Sequence, residues 1–360
     1  MTRAHNFNAG PAILPVSVLE ATREAVVDYR NLGMSVMEMS HRSKEIVDMF
    51  TETQNLCLDI LGLKKDEYYV LFLGGGASTQ FAMIPYNYLK TKADYVNTGE
   101  WATKAIKEAQ MIGETNVVAS SKDANFNYIP KDLKFSSDSD YVHITTNNTI
   151  FGTRYNTIPD TGNIPLIVDM SSEMMARKLD YSKFSLIYAG AQKNIGPSGV
   201  TLVIIKKSFA DNNAKETGHT MLKYSTHIKA ETMFNTPPVL PVYVMNETFK
   251  WIINQGGLEV IEKNNVAKAK LIYDKIDEHS DFYKGSVANK EDRSLMNITW
   301  NLLTPELESK FVKEAEAKNM IGLKGHRSVG GIRASTYNAC PIESCKALAD
   351  FMEVFYQANK

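Results

Sequence analysis

The sequence predicts an α/β protein in which a large domain with a mainly parallel, helix-covered sheet precedes a smaller α+β domain. Two features support this prediction. Short apolar segments, such as Tyr68 to Leu73, alternate with helical patterns over most of the chain, and strands buried on both faces are typical of parallel sheets covered by helices. After about Gly257, long helical patterns dominate instead. We therefore expect an N-terminal segment (1–16) that packs with the small domain, a large domain (17–257) and a small domain (258–360).

The individual elements follow from hydrophobic spacing along the chain. Apolar residues at helical intervals predict helices from Ser17 to Tyr29 and from Ser43 to Gly62, where the glycine ends the second helix. The alternating part then predicts a strand at 68–73, a helix at 78–89, a strand at 94–97, a helix at 100–112, and strands at 115–118, 141–145, 165–170, 185–188 and 200–205. The last third predicts helices at 257–279, 304–318 and 341–357, a strand at 295–300 and a glycine-rich segment at 322–331.

The composition excludes several classes of protein. The 360 residues include 40 Lys and Arg against 41 Asp and Glu, a formal net charge of -1, so charge gives no reason to expect nucleic acid or an anionic membrane as a partner. No apolar run is long enough for a transmembrane helix or a secretory signal. The 3 cysteines are too few for a disulfide framework, and no cluster of His and Cys predicts a metal site. We expect a soluble cytoplasmic protein without a metal ion.

A glycine-rich segment, Gly74 to Thr79, ends one predicted strand and opens the next helix. Glycine lets the backbone approach a ligand closely, and the first N–H groups of a helix are available to an anion. The segment has neither the GxxxxGK[ST] pattern of a P-loop nor the GxGxxG pattern of a dinucleotide site. By itself it indicates either a phosphate site or an ordinary tight turn.

A carboxylate and an amine follow two of the predicted strands. Asp169 comes directly after the apolar segment 164–168, and Lys193 comes shortly after the segment 185–190. Both therefore lie beyond the carboxyl end of a strand, where ligands bind in open α/β sheets. Taken singly, Asp169 is more readily a helix N-cap and Lys193 a solvated loop cation. Together with the glycine-rich segment, they meet the needs of pyridoxal phosphate, which requires an amine, an acid for its ring nitrogen and a phosphate cradle.

Two His-Arg pairs provide cations suited to an anionic substrate. The pairs are His41–Arg42 and His326–Arg327, and Arg333 follows the second pair in a glycine-rich context. Because Arg binds carboxylate and phosphate bidentately, a substrate with an anion at each end would use several of these residues. Most single arginines are ordinary surface residues, and that alternative stays open.

Over essentially its full length, the chain resembles the phosphoserine aminotransferases, a family of class-V pyridoxal-phosphate enzymes of fold type I. The motifs that carry the resemblance are Asn6 to Ala12, Met39 to Lys44, Gly74 to Phe81, Thr98 to Trp101, Ala191 to Gly199 and Lys324 to Ser335. The resemblance implies a reversible ping-pong transamination, in which L-glutamate and 3-phosphohydroxypyruvate give 2-oxoglutarate and O-phospho-L-serine for L-serine biosynthesis. Some members also act on 3-hydroxy-2-oxo-4-phosphonooxybutanoate in pyridoxine biosynthesis.

The resemblance also implies roles for individual residues. Lys193 would bind the cofactor covalently and move the Cα proton, and Asp169 would pair with the ring nitrogen. Trp101 would stack on the ring and Thr149 would contact it near the 3′ oxygen. The implied phosphate contacts are Ala77, Ser78 and Gln192, with Asn235 and Thr236 from the other subunit of a homodimer. The implied substrate contacts are His41, Arg42, His326 and Arg327 for the distal anion and Arg333 for the α-carboxylate.

Two positions depart from some members of the family. Ser78 stands where some have Arg, and Ala9 stands where some have Ser, which removes one potential contact to a phosphate and one to the substrate. Neither change removes a group that transamination requires. The alternatives are another class-V enzyme such as serine–glyoxylate aminotransferase, a cysteine desulfurase, a non-enzymatic phosphate- or nucleotide-binding module, and an inert interaction protein.

Overall fold

A computed structural model describes residues 3–215 and 218–360 of the chain. Its helices are α1 (Val16–Val27), α2 (Lys44–Leu61), α3 (Gly76–Tyr88), α4 (Glu100–Gln110), α5 (Lys207–Asn213), α6 (Tyr224–Lys229), α7 (Val239–Asn254), α8 (Gly257–Glu278), α9 (Pro305–Ala317) and α10 (Ile342–Asn359). Its strands are β1 (His5–Asn6), β2 (Tyr68–Leu73), β3 (Lys92–Asn97), β4 (Glu114–Ser120), β5 (Val142–Thr145), β6 (Leu166–Asp169), β7 (Leu186–Gly190), β8 (Thr201–Lys206), β9 (Lys284–Gly285), β10 (Asn297–Asn301), β11 (Met320–Ile321) and β12 (Ile332–Ser335).

The largest sheet has seven strands in the order β2-β8-β7-β6-β5-β3-β4. The strands from β7 to β4 in that order are parallel to one another, whereas β8 runs antiparallel to both β7 and β2. The carboxyl ends of all strands except β8 therefore lie at one edge of the sheet, which brings Gly74, Asp169 and Gly190 to that edge. The prediction of a mainly parallel sheet is confirmed.

Helices cover both faces of this sheet. On one face, α3 and α4 share an apolar cluster with the sheet residues Ile167 and Tyr188. On the other face, α2 and α7 share a second cluster with Val168 and Ile187. Successive side chains of a strand point to opposite faces. Asp169, two residues after Ile167, therefore lies on the face that α3 and α4 cover.

A second group of elements follows α7. The strands β12, β10 and β9 form an antiparallel sheet, and a separate core contains Trp300 and Phe311 together with residues of α8 and α10. The N-terminal segment lies against this group, because β1 pairs with β11 and Phe7 and Ile13 belong to the same core. The boundaries of the predicted domains stay a prediction.

Sequence periodicity does not reveal several elements, and α7 is the largest of them. Its residues Val242 to Met245 are consecutive, apolar and buried, so the helix lacks the polar stripe that makes helical spacing visible. Pro241 lies in the first turn of α7, where its missing N–H costs no helical hydrogen bond. The short helices α5 and α6 and the strand β12 are also absent from the prediction. Over the described residues, no helix has the length and apolar character that crossing a bilayer requires.

Candidate active site

Asp169 ends the buried strand β6 at the edge of the large sheet where the parallel strands have their carboxyl ends. Its side chain is only 4% exposed, and its Oδ1 accepts a hydrogen bond of 2.9 Å from the N–H of Ser171. Burial raises the pKa of Asp169, while Lys193, Ser171 and Tyr188 act in the opposite direction. A carboxylate in this environment needs a cationic partner to stay ionised.

Lys193 follows β7 at the same edge. Its Nζ donates a 2.8 Å hydrogen bond to Oγ1 of Thr149 and lies 5.4 Å from the centroid of the Trp101 ring. Burial lowers the pKa of Lys193 to about 8, Asp169 raises it, and Arg333 lowers it. A substantial fraction of the amine is therefore neutral near pH 8, which makes it both a nucleophile and a proton acceptor.

Thr149 connects Lys193 to the second sheet. Its carbonyl oxygen accepts a 3.2 Å hydrogen bond from Nη1 of Arg333, which lies on β12 opposite Thr299. Two polar atoms beside Lys193, Nε1 of Trp101 and Nε of Arg333, are buried without a hydrogen-bond partner in the described structure. Unsatisfied buried donors are costly, so these two atoms are available to a ligand.

The N-terminal segment covers Lys193 from a third direction. The N–H of Ala12 donates to the carbonyl of Gln192 at 2.9 Å. Gly10 has φ +146°, and a Cβ at this position would lie 3.4 Å from Cγ of Lys193. The positive φ, which other residues rarely adopt, explains why a glycine stands here. The sequence motif at Asn6 to Ala12 indicates this segment, but nothing in the sequence reveals its contact with the lysine.

The glycine-rich turn opens α3 as the sequence predicts, although the helix begins at Gly76 rather than at Ser78. Gly75 and Gly76 have φ +86° and +68°, and a Cβ on Gly75 would collide with Thr79. The N–H groups of the first helical turn, which includes Ala77 and Ser78, have no acceptor within the helix. Ala77 also packs against the cluster that contains Trp101, so the turn and the indole share one face of the sheet.

His326 and Arg327 lie on the loop between β11 and β12. The loop is closed by the hydrogen bond from the N–H of Gly325 to the carbonyl of Gly331 at 2.9 Å. His326 and Arg333 line one cavity of about 160 Å³. Burial, followed by the charges of Arg333 and Arg327, lowers the pKa of His326. The structure therefore brings His326 of the second predicted pair together with Arg333, whereas Arg327 is exposed on the same loop.

Two other predicted pairs lie elsewhere on the chain. His41 and Arg42 precede α2, and Asn235 and Thr236 precede α7 on the surface. Within residues 3–215 and 218–360, neither pair forms a hydrogen bond or an ion pair with the Lys193 site. Their functional roles stay predictions.

A buried polar cluster, which we call the junction cluster, links the site to the small sheet. Asn147 Nδ2 donates to Ser172 Oγ and to Asn297 Oδ1, both at 2.8 Å, and Asn297 Nδ2 donates to Ser335 Oγ at 3.0 Å and to Tyr337 OH at 3.1 Å. All five side chains are at most 3% exposed. Because Ser172 follows Asp169 and Ser335 follows Arg333, the cluster fixes the two halves of the site relative to each other.

Two polar residues behind Asp169, Tyr188 and His143, are not among the residues that the sequence predicts for the site. Tyr188 is the register partner of Asp169 on β7, and its hydroxyl lies 2.9 Å from Nε2 of His143 on β5. Both side chains are at most 1% exposed, and burial lowers the pKa of His143 to about 3. A histidine inside an otherwise apolar strand is the signal that could have drawn attention to this pair.

Comparison with known proteins gives consistent results. The aminotransferase class-V family model matches residues 4–348. A phosphoserine aminotransferase of Halalkalibacterium halodurans is 51% identical, and one of Bacillus subtilis is 48% identical, each over 100% of both chains. The solved structure of phosphoserine aminotransferase from Bacillus circulans subsp. alkalophilus is 50% identical, covers 99% of each chain and superposes with a TM-score of 0.97. A ureidoglycine–glyoxylate aminotransferase of Bacillus subtilis shares the fold at 13% identity, with a TM-score of 0.77 over 100% of this chain and 95% of that one.

Proposed function

Because the chain belongs to the class-V aminotransferase family, we propose that it uses pyridoxal phosphate to transfer the amino group of L-glutamate to 3-phosphohydroxypyruvate. The products are 2-oxoglutarate and O-phospho-L-serine, so the reaction serves L-serine biosynthesis. Full-length relatives named phosphoserine aminotransferase at about half identity support this specific reaction. The predicted family and the predicted fold of the pyridoxal-phosphate aminotransferases are confirmed.

The observation that carries the proposal is the pairing of Lys193 with Asp169 at one sheet edge. Each residue changes the pKa of the other, and no salt bridge satisfies either group in the described structure. The residues fit pyridoxal phosphate, since Lys193 provides an amine, Asp169 provides a buried acid, and two donors near Lys193, Trp101 Nε1 and Arg333 Nε, are buried without a partner. When bound, the cofactor supplies an electron sink for the charge that is left on the substrate Cα.

Lys193 performs the proton transfer in this proposal. Its Nζ is held by Thr149 Oγ1 at 2.8 Å, and the lowered pKa leaves the amine able to accept the Cα proton near neutral pH. Asp169 would keep the ring nitrogen of a bound cofactor cationic through its own negative charge. Trp101, whose ring centroid lies 5.4 Å from Nζ of Lys193, would stack on the cofactor ring, and Thr149 would contact the ring near its 3′ oxygen.

Arg333 is proposed to bind the α-carboxylate of either substrate. One of its nitrogens is held by the carbonyl of Thr149, while Nε is buried without a partner. His326 and Arg327 are proposed to bind the distal anion, and their shared loop beside Arg333 supports this assignment. His41 and Arg42 are proposed to contribute to the same anion. One set of cations serves both substrates because each carries a second anion beyond the α-carboxylate.

The cofactor phosphate is proposed to bind at the start of α3, to Ala77 and Ser78, with Gln192 nearby. The positive end of a helix and its unpaired N–H groups suit this anion.

Asn235 and Thr236 are proposed to complete the phosphate site from the second subunit of a homodimer, and their exposure makes them accessible to another chain. We also propose a cytoplasmic location and activity on the four-carbon phosphorylated keto acid of pyridoxine biosynthesis.

An absorbance titration tests the proposed function. The purified protein should show the visible band of a bound pyridoxal phosphate, L-glutamate should shift this band to the ultraviolet, and 3-phosphohydroxypyruvate should restore it. Lys193→Ala should show neither the band nor turnover, whereas the control Lys207→Ala, a partly exposed lysine that follows β8 at the opposite edge of the sheet, should match the wild type. A colourless protein that binds only inorganic phosphate would support the non-enzymatic module. A response to serine and glyoxylate instead would support the alternative class-V enzyme.

A further inference from the structure

Three polar side chains of neighbouring strands lie in a row behind the Lys193 site. Asp169 on β6 is the register partner of Tyr188 on β7 and of Thr145 on β5. His143 lies two residues before Thr145 on β5, so its side chain points to the same face of the sheet as that of Asp169. The Tyr188 hydroxyl is within 2.9 Å of Nε2 of His143. The same hydroxyl belongs to the register partner of Asp169 on the adjacent strand, and its hydrogen-bonding effect lowers the pKa of the Asp169 carboxyl. The row therefore runs from His143 through Tyr188 to Asp169.

The row crosses an apolar environment. Tyr188, His143 and Asp169 are 0%, 1% and 4% exposed, and the cluster around them contains Ile167 and Leu186. Burying polar groups is unfavourable unless they hydrogen-bond to one another. Packing alone gives no reason for a histidine here, since an apolar side chain would fill the same space.

The donor direction follows from the unpaired nitrogen of His143. Burial keeps this imidazole neutral by lowering its pKa to about 3, so it carries one N–H, and its Nδ1 is buried without a partner. An unpaired buried N–H is rarer than an unpaired acceptor. The hydrogen therefore belongs on Nε2, which donates to the oxygen of Tyr188, and the Tyr188 O–H donates to Asp169.

We propose that Tyr188 and His143 are positioning residues, whose hydrogen-bond chain keeps the Asp169 carboxylate ionised and oriented toward the ring nitrogen of the cofactor. The last step rests on the proposed function, because the ring nitrogen is the group that the carboxylate meets. The chain of hydrogen bonds itself belongs to the protein and can be measured without the cofactor.

Tyr188→Phe tests the proposal, with Tyr141→Phe as a matched control. Tyr141 lies on the same face, is fully buried and also loses a hydrogen-bonded hydroxyl, here the one paired with Tyr95 at 2.8 Å. In full-length apoprotein with ¹³C-labelled aspartate, assigned with Asp169→Asn, the Asp169 carboxyl should titrate at higher pH in Tyr188→Phe than in the wild type. Tyr141→Phe should leave this titration unchanged.

Cofactor affinity gives a second readout. The dissociation constant for pyridoxal phosphate should rise roughly tenfold to a hundredfold in Tyr188→Phe, the change expected when a hydrogen bond to a charged group is lost. It should stay near the wild-type value in Tyr141→Phe. His143→Gln, which retains a donor near the position of Nε2, should remain close to the wild type, whereas His143→Leu should resemble Tyr188→Phe.

Equal Asp169 titration and equal cofactor affinity in Tyr188→Phe and Tyr141→Phe would overturn the proposal. If His143→Gln behaved like His143→Leu, His143 would not belong to the donor chain. A wild-type protein without cofactor affinity or transamination would instead contradict the proposed function, while the apoprotein titration would still decide whether Tyr188 supports Asp169. The two failures are therefore distinguishable.

Discussion

The two sides of the proposed active site are built in different ways. On the large-sheet side, Asp169 ends a buried strand, and the equally buried Tyr188 and His143 stand behind it. On the small-sheet side, His326 and Arg327 lie on a loop between two strands, and Arg327 is exposed. A group that is proposed to hold one position throughout the reaction thus lies on rigid elements, whereas the groups that are proposed to bind the variable end of a substrate lie on an accessible loop.

Arg333 takes an intermediate position between these two regions. It lies on β12 rather than on the loop, and it is only partly buried. The junction cluster holds β12 to the large sheet through Asn147 and Asn297. We therefore expect substitutions on the large-sheet side to lower turnover most, and substitutions on the loop to weaken mainly the affinity for the substrate.

After Lys193→Ala, which should abolish turnover, the largest effect is expected for Asp169→Asn. Turnover should fall by roughly 10²- to 10³-fold, because the cofactor loses the charge that stabilises its ring nitrogen at the moment of reaction. Steady-state kinetics with a saturating cofactor concentration would measure this loss. The matched control is Asp94→Asn, since Asp94 is also fully buried in the sheet and accepts a 2.5 Å hydrogen bond from the N–H of Ser136. Asp94→Asn should lower the free energy of unfolding by about 1–3 kcal/mol but retain turnover. If both variants lost turnover equally, the loss in Asp169→Asn would not indicate a role in the reaction.

A smaller effect is expected for Arg333→Lys. The KM values for glutamate and for 3-phosphohydroxypyruvate should both rise roughly tenfold to a hundredfold, because lysine keeps the charge but loses the planar pair of donors. Arg293→Lys is the control, since Arg293 also forms a bidentate pair, with Asp277 at 2.9 and 2.7 Å, outside the proposed site. Unchanged KM values in Arg333→Lys would exclude Arg333 as the α-carboxylate ligand.

The loop should give a still smaller and more selective effect. In Arg327→Ala, the KM values for glutamate and for 3-phosphohydroxypyruvate should rise by about severalfold to tenfold, whereas that for alanine, which has no distal anion, should hardly change. Arg42→Ala makes the same test of the first His-Arg pair. The exposed Arg23 provides the control substitution. A rise of equal size for alanine would show that the two arginines do not recognise the distal anion.

The sequence predicts the large-sheet side of the site better than the small-sheet side. Strands buried on both faces are visible as continuous apolar runs, so their carboxyl ends locate Asp169 and Lys193 correctly. The strand β12 is short and follows two glycines, so apolar spacing does not predict it. The sequence therefore indicates Arg333 through its glycine-rich motif and not through its place on a strand. Local sequence patterns do not reveal the roles of His143 and Tyr188, because these roles depend on the strand order, which places β6 between β5 and β7.

The smallest expected effect concerns the protonation of Lys193 on the large-sheet side. In the apoprotein, labelling of Lys193 by trace acetic anhydride should accelerate as the pH rises and level off above about 8, because burial lowers the pKa of Lys193 to that value and only the neutral amine reacts. Labelling of Lys44, whose pKa is raised by its hydrogen bond to Asp48, should continue to accelerate at much higher pH. Peptide mass spectrometry would measure both rates in one sample. In Asp169→Asn, the plateau for Lys193 should move to lower pH, since the negative charge of Asp169 raises the pKa of Lys193. A plateau that stays in place would show that the two groups do not interact across the site.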